Sequence, residues 1–172
     1  MELLFRRAEP ADADELAELI NSAYRGDTSR QGWTTEADLL DGRRTSAEEI
    51  RALIAAADSL ILQCRQHQEL LGSVHLQKIA DTARIGMLTV KPVNQGLGVG
   101  KQLLQIAECE AVRFWAVTRL TMAVIPCRAE LVAYYQRRGY RRTGTTMPFP
   151  QNPNLWQAKV SGLTLELLEK CL

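Results

Sequence analysis

The sequence is poor in several features that would otherwise place it quickly. It holds four cysteines, none in a CxxC pair, and two histidines that share no ligand spacing with them, so no metal site is expected. Cys64 and Cys109 fall in apolar periodic segments and read as core thiols, which suits a reducing cytoplasm better than a disulfide framework. No apolar run approaches the ~20 residues of a membrane span. The opening "MELLFRRAEP" lacks an apolar signal core, so neither a membrane nor a secretory role is expected. Charge of one sign is also missing: 21 Lys and Arg stand against 20 Asp and Glu, a net +1. No global field therefore recruits nucleic acid or an acidic surface, and no nucleic-acid partner is expected. Repeats and low-complexity segments are absent too.

What remains is an ordinary globular composition, 46% apolar and 24% charged over 172 residues, enough for one domain with a sizeable core. "ELLF" reads as a short strand and "ADADELAELINSAY" as a helix, with Asp12 and Glu15 spaced as a capping pair. Residues 25–45 show little periodicity. Ser46 and Glu49 form a capping box ahead of a second helix. Three strands follow, "SLILQCR", "ELLGSVHLQKI" and "ARIGMLTV", the last apolar on both faces at its end as a central strand should be. "KQLLQIAECEAVRFWAVT" is the longest helix, with an apolar stripe running from Leu103 to Trp115. "RLTMAVI" is a strand, and "AELVAYYQRR" a short helix closed by Gly139. "YRRTGT" and "LTLELLE" read as strands around a proline-rich loop, "MPFPQNPNLWQAKVSG". The expectation is an α/β (α+β) domain over residues 1–172, with a mixed central sheet of about six to seven strands flanked by about four helices.

The most informative stretch is "MLTVKPVNQGLGVGKQLLQIAE". Gly96, Gly98 and Gly100 stand at the mouth of a helix, where the first N–H groups have no partner and the dipole is positive. Glycine lets an anion approach that backbone closely, and Lys101 adds a charge. The dinucleotide pattern GxGxxG does not fit this GxGxG spacing. The pattern GxxxxGK[ST] also fails, because Gln102 follows Lys101 and Gln95 stands where its first glycine should be.

Gln95–Gly96–Leu97–Gly98–Val99–Gly100 resembles the Q/R-x-x-G-x-G/A motif of the GCN5-related N-acetyltransferase (GNAT) superfamily. "LTV" and Pro92 before it resemble that family's central strand, "YYQRRGY" its later Y-x-x-x-G-[FY] segment, and the element order agrees over nearly the whole chain. The resemblance implies acetyl-CoA as cosubstrate. Its pyrophosphate would lie on the N–H groups of residues 96–101. Its pantetheine arm would run along a splayed central strand near Leu88 and Val90. The implied activity is acetyl transfer to a primary amine, on a small molecule or a peptide, by direct attack in a ternary complex. The other readings are a CoA-binding module without catalysis, or a nucleotide-phosphate binder of another class. A homodimer also fits the family.

The resemblance makes Tyr135, four residues before Gly139, the proton donor to the leaving thiolate; core packing is the competing role. Two positions depart from the family. Arg128 stands where Asn is frequent, and Arg84 where some branches carry a glutamate base, so no general base is evident. His75 is either an acid–base group or a structural one. Glu36, Asp38 and Asp41 either meet a cationic amine or cap and solvate the surface. Trp33, Phe149 and Trp156 wall the acceptor pocket, hold loops down or form a dimer contact. Arg137, Arg138, Arg141 and Arg142 are a solvated helix end or a phosphate contact.

Overall fold

The computed structural model describes residues 2–172. Its centre is a seven-stranded sheet in the order β1-β3-β4-β5-β6-β9-β7, formed by β1 (Leu4–Arg7), β3 (Ser59–Gln66), β4 (Glu69–Ile79), β5 (Thr82–Val90), β6 (Arg119–Val124), β7 (Arg141–Pro148) and β9 (Thr164–Cys171). Only β5 and β6 run parallel; the other neighbours are antiparallel. A second, two-stranded sheet joins β2 (Leu40–Gly42) to β8 (Trp156–Ala158). The helices are α1 (Ala13–Tyr24), the single turn α2 (Gly26–Ser29), α3 (Ala47–Ala55), α4 (Val99–Trp115) and α5 (Ala129–Gln136).

Each sheet face is covered. On one side α4 inserts Leu103, Leu104, Ala107 and Ala111 against Leu76, Ile85 and Leu120. On the other, Leu16, Ile20 and Ile50 from α1 and α3 meet Ile61, Leu70 and Met87. The apolar stripes of the three helices thus explain why the sheet sits between them.

The central strand carries an irregularity that its apolar pattern conceals. Between the pairs Ser73↔Thr89 and His75↔Gly86, β5 holds one residue more than β4. Met87 takes a positive φ of 46° there. This bulge re-aims the strand's side chains. Ala83 and Ile85 pack in the α4 core, whereas Met87 packs among α1 and α3. Beyond the bulge Leu88 and Val90 return to the α4 side.

β5 and β6 are paired only at Thr82↔Arg119, Ala83↔Leu120 and Arg84↔Thr121. After that rung β6 continues alongside β9 through Val124, while β5 continues alongside β4 through Val90. The two central strands therefore part like a fork, as the family resemblance implies.

Several local expectations are corrected. The region read as a proline-rich loop contains β8, and the aperiodic region before it contains α2 and β2. Strands of three residues are too short to display a period of two. Gly42 fits this small sheet because its φ is +94° and a Cβ would lie 2.2 Å from the Leu155 carbonyl oxygen. Asp12 does not cap α1. Its carboxylate accepts from the Glu9 N–H at 2.7 Å, from Gln63 at 2.7 Å and from the Arg6 guanidinium, closing the 3-10 turn Pro10–Asp12 instead. Ser46 accepts from the Glu49 N–H at 3.2 Å, but the Glu49 carboxylate turns to the Thr45 hydroxyl, so only half of the box forms. Cys64 is buried as expected, whereas Cys109 is exposed on the far side of α4, away from Leu104 and Ala111.

Leu103 has no exposed surface and packs at the centre of the α4 face. Leu103→Ala is expected to cost about 2–5 kcal/mol through lost burial and a residual cavity. Equilibrium unfolding in urea measures this as a lower midpoint with an unchanged slope.

Candidate active site

The fork opens on two cavities. One, of about 310 Å³, lies between β5 and the distal part of β6, under the end of α1, the head of α5, and Phe149 with Trp156 at the start of β8. The other, of about 370 Å³, lies over the glycine loop and is closed by Trp33, Tyr134, Arg137 and Arg138. Leu88, Leu131 and Tyr135 line both. The two spaces therefore adjoin at the end of the parted strand.

The second cavity begins where β5 ends. A 3-10 turn, Pro92–Asn94, leads into Gln95, and α4 starts at Val99 with Gly98 as its N-cap. Gly96 and Gly98 both have φ of +85°, which L side chains rarely adopt, and both have open space where a Cβ would be. At Gly100 the constraint is steric: a Cβ would stand 3.3 Å from Val90 and 3.4 Å from the Tyr134 hydroxyl. No acidic residue occupies the first turn of α4. Among the described residues, the N–H groups of residues 96–101 donate to no protein acceptor; the helical bonds begin with Gln102 to Gly98 at 3.1 Å. Six main-chain donors without a protein acceptor thus stand at or just before a positive helix end. Lys101, Arg137 and Arg138 line the same space. Arg138 stacks 3.4 Å above the Tyr134 ring, donates to the Tyr134 carbonyl at 2.8 Å, and leaves its buried Nε without a partner. The donor set and the charge both suit a polyanion, and Gly100 keeps the approach clear.

The residues singled out in the motif divide by role. Leu88, Val90, Gln95, Gly96, Gly98, Gly100 and Lys101 line this cavity. Leu97 points to solvent and Val99 into the core, so each offers only its backbone. Gln95 is a brace: its Nε2 donates to the Val90 carbonyl at 3.0 Å, and its Oε1 accepts from the Trp33 N–H at 2.9 Å. That links the central strand to the segment before β2. Trp33 belongs to this cavity, with its ring 5.6 Å from Tyr134, and does not line the other one. Of the three large aromatics in irregular sequence, only Phe149 and Trp156 wall the first cavity, 6.3 Å apart and edge to face.

Glu36 lines the first cavity but is buried in a pairing the sequence does not reveal. Arg25 donates from Nε to its Oε2 at 2.9 Å and Arg128 from Nη1 to its Oε1 at 3.0 Å. Arg128 also donates to Thr34 at 2.7 Å. Asp38 instead pairs with Arg30 at 2.8 Å on the surface, and Asp41 is an exposed residue of β2. His75 lines the cavity, with its Nε2 2.8 Å from the Ser59 hydroxyl. Burial, with Arg44 nearby, pushes its pKa down to about 4, so it is neutral near pH 7 and a weak base. Tyr135 is buried between Tyr134 and Tyr140, at ring distances of 5.3 and 6.0 Å. Burial pushes its phenol well above the ordinary range, so the group is held protonated, a donor. Tyr24, which the sequence did not single out, donates from the end of α1 to the Leu88 carbonyl of β5 at 3.3 Å. Arg25 and Arg44 were missed as well, since an arginine in aperiodic sequence carries no signal of where it will fold.

The family profile of the acetyltransferase (GNAT) domain matches residues 27–149, and the chain belongs to this family. Solved structures share the fold at low identity. The ribosomal-protein-S18-alanine N-acetyltransferase of Escherichia coli has 15% identity and a TM-score of 0.72, over 99% of this chain and 94% of that one. The PaiA N-acetyltransferase of Thermoplasma acidophilum, in complex with coenzyme A, has 18% identity and a TM-score of 0.69 over all of both chains. YncA of Salmonella typhimurium, with its cofactor acetyl-CoA, has 19% identity and a TM-score of 0.68, over 99% and 94%. Among curated proteins none matches.

His75 generates a pH prediction. Its folded pKa lies below the ordinary 6.5, so the unfolded chain binds the proton first. The stability from a neutral His75 is therefore complete above about pH 6.5 and is lost as the pH falls toward about 4. The loss is on the order of 2–3 kcal/mol. Urea unfolding at pH 7 and pH 4.5 should show a smaller decline in His75→Asn than in the parent protein.

Proposed function

We propose that the protein is an N-acetyltransferase that moves an acetyl group from acetyl-CoA to a primary amine by direct attack in a ternary complex. The observation that carries this reading is the meeting of two cavities at Leu88, Leu131 and Tyr135, where β5 has left β6. One cavity is built for a polyanion, and the other opens from the far side of the same fork. That two structurally similar proteins are solved with coenzyme A or acetyl-CoA supports the assignment of the anion.

On this reading, the N–H groups of residues 96–101 hold the diphosphate, and Lys101, Arg137 and Arg138 neutralise it. The edge of β5 beyond Arg84, released by β6, offers main-chain donors and acceptors to the pantetheine arm as an added strand would. Acetyl-CoA supplies an activated thioester, which this geometry directs to the junction at Leu88. The first cavity orients the amine toward it. The attacking nitrogen must be neutral, and its proton leaves to water at the cavity mouth, because Glu36 is committed to two arginines and His75 is a poor base. Tyr135 holds its proton against solvent and delivers it to the sulfur as the carbon–sulfur bond breaks.

The commitment of Glu36 to two arginines also favours a second reading, a coenzyme-binding module without turnover. Tyr135→Phe separates the two. For the enzyme, kcat is expected to fall about 10²–10⁴-fold with acetyl-CoA affinity nearly unchanged. Free-thiol release and isothermal titration measure the two quantities. Equal turnover in variant and parent removes Tyr135 from the chemistry; binding by the parent with no product from any amine favours the module. Acetyl-CoA at 100 times its Kd should also raise stability by ~2.7 kcal/mol, seen as a thermal shift.

A further inference from the structure

The charged lining of the first cavity is uneven. Four arginines, Arg25, Arg44, Arg84 and Arg128, face two glutamates, Glu36 and Glu49. Both glutamates are engaged by the protein. Glu36 gives one oxygen to Arg25 and the other to Arg128, and Glu49 accepts from the Thr45 hydroxyl at the head of α3. His75 adds no charge near neutral pH. Arg44 and Arg84, in contrast, form no ion pair among the described residues, and the Nε of Arg84 is buried without any partner.

The position of Arg84 gives this imbalance a direction. It stands on the last rung that β5 shares with β6, opposite Thr121, at the base of the fork. Gly86 follows two residues on along the cavity lining, and a Cβ there would meet nothing within 4 Å. A guanidinium with a desolvated, unsatisfied N–H beside open space is costly unless a ligand completes it. Its planar fork of donors matches an oxyanion in two-point fashion.

We infer that the amine acceptor also carries an oxyanion, a carboxylate or a phosphonate, which Arg84 receives with help from Arg44. The assignment rests on the reading of this cavity as the acceptor site. A volume of about 310 Å³ fits a small amino-acid-like compound. A polyamine or a lysine-rich peptide would bring further positive charge to a lining that sets four arginines against two carboxylates.

The test uses the full chain and four probes: the pooled free L-amino acids, their α-amides, 2-aminoethylphosphonate and spermidine. Binding is read by saturation-transfer NMR with and without CoA, and turnover by mass spectrometry with acetyl-CoA. The expected result is binding and acetylation of the amino acids or the phosphonate, with little of either for the amides and spermidine. The amino-acid and aminoethylphosphonate arms separate carboxylate from phosphonate. Arg84→Gln should weaken the anionic acceptor about 10- to 100-fold, the loss of a charge-assisted hydrogen bond or two, and erase the preference for acid over amide. Acetyl-CoA affinity should stay within about threefold, which distinguishes loss of the oxyanion contact from loss of the fold. Arg44→Gln gives an independent, smaller change in the same direction if Arg84→Gln does not fold. Amides or spermidine bound as well as the acids, or acid binding untouched by both variants, would overturn the inference. Failure of acetyl-CoA to bind would overturn the proposed reaction instead, while the CoA-free NMR arm still reports on Arg84.

Discussion

The structure depends on where the pairing of its two parallel strands stops. Main-chain donors and acceptors in a sheet are ordinarily saturated by their neighbours. Here β5 and β6 share three rungs and then separate, so both inner edges are left without a strand. An open edge of this kind is a ready template for another extended chain, and proteins usually cover it. The bulge at Met87 accompanies the separation: one extra residue in β5 increases its twist and moves Met87 to the opposite core. Two packed cores, one against α4 and one against α1 and α3, hold the split open from either side. The glycine loop follows at the end of the same strand, so the free edge and the free N–H groups are consecutive in space.

Around this fork the polar groups fall into two electrostatic regions. The α4 end concentrates donors and positive charge without a protein carboxylate to answer them, a setting that suits an anion. In the neighbouring cavity the Arg25–Glu36–Arg128 cluster ties the end of α1, the segment before β2 and the head of α5 into one unit. A buried ion cluster of this sort gives little net stability once desolvation is counted, but breaking it leaves an uncompensated charge. It therefore fixes the relative placement of three segments that share no regular pairing. Gln95 does comparable work on the other side by hydrogen-bonding Val90 and Trp33 at once.

Legibility in the sequence followed the length scale of the signal. Helical stripes and long apolar strands were readable because their periods repeat several times. The glycine motif was readable because each glycine answers a local demand, a positive φ at 96 and 98 and a close approach at 100. β2 and β8 were not, since a three-residue strand exists only through its partner. Cys109 looked like a core thiol because it sits in a periodic helix, yet it is on the exposed side. Trp33 and Glu36 were both assigned to the acceptor pocket from the company they keep in the chain. Folding sends Trp33 over the glycine loop, while Glu36 lines the cavity between β5 and β6 locked between Arg25 and Arg128.

By itself the sequence determined the alternation of strands and helices, the family and the glycine loop at the head of α4, because these rest on interactions between residues close along the chain. Only the tertiary structure decided where the central strands part, which cavity each aromatic faces, and which arginines are left without a carboxylate. Those features depend on groups far apart in sequence, such as Arg25, Glu36 and Arg128, whose pairing is chosen by how the segments pack and not by any pattern within one of them.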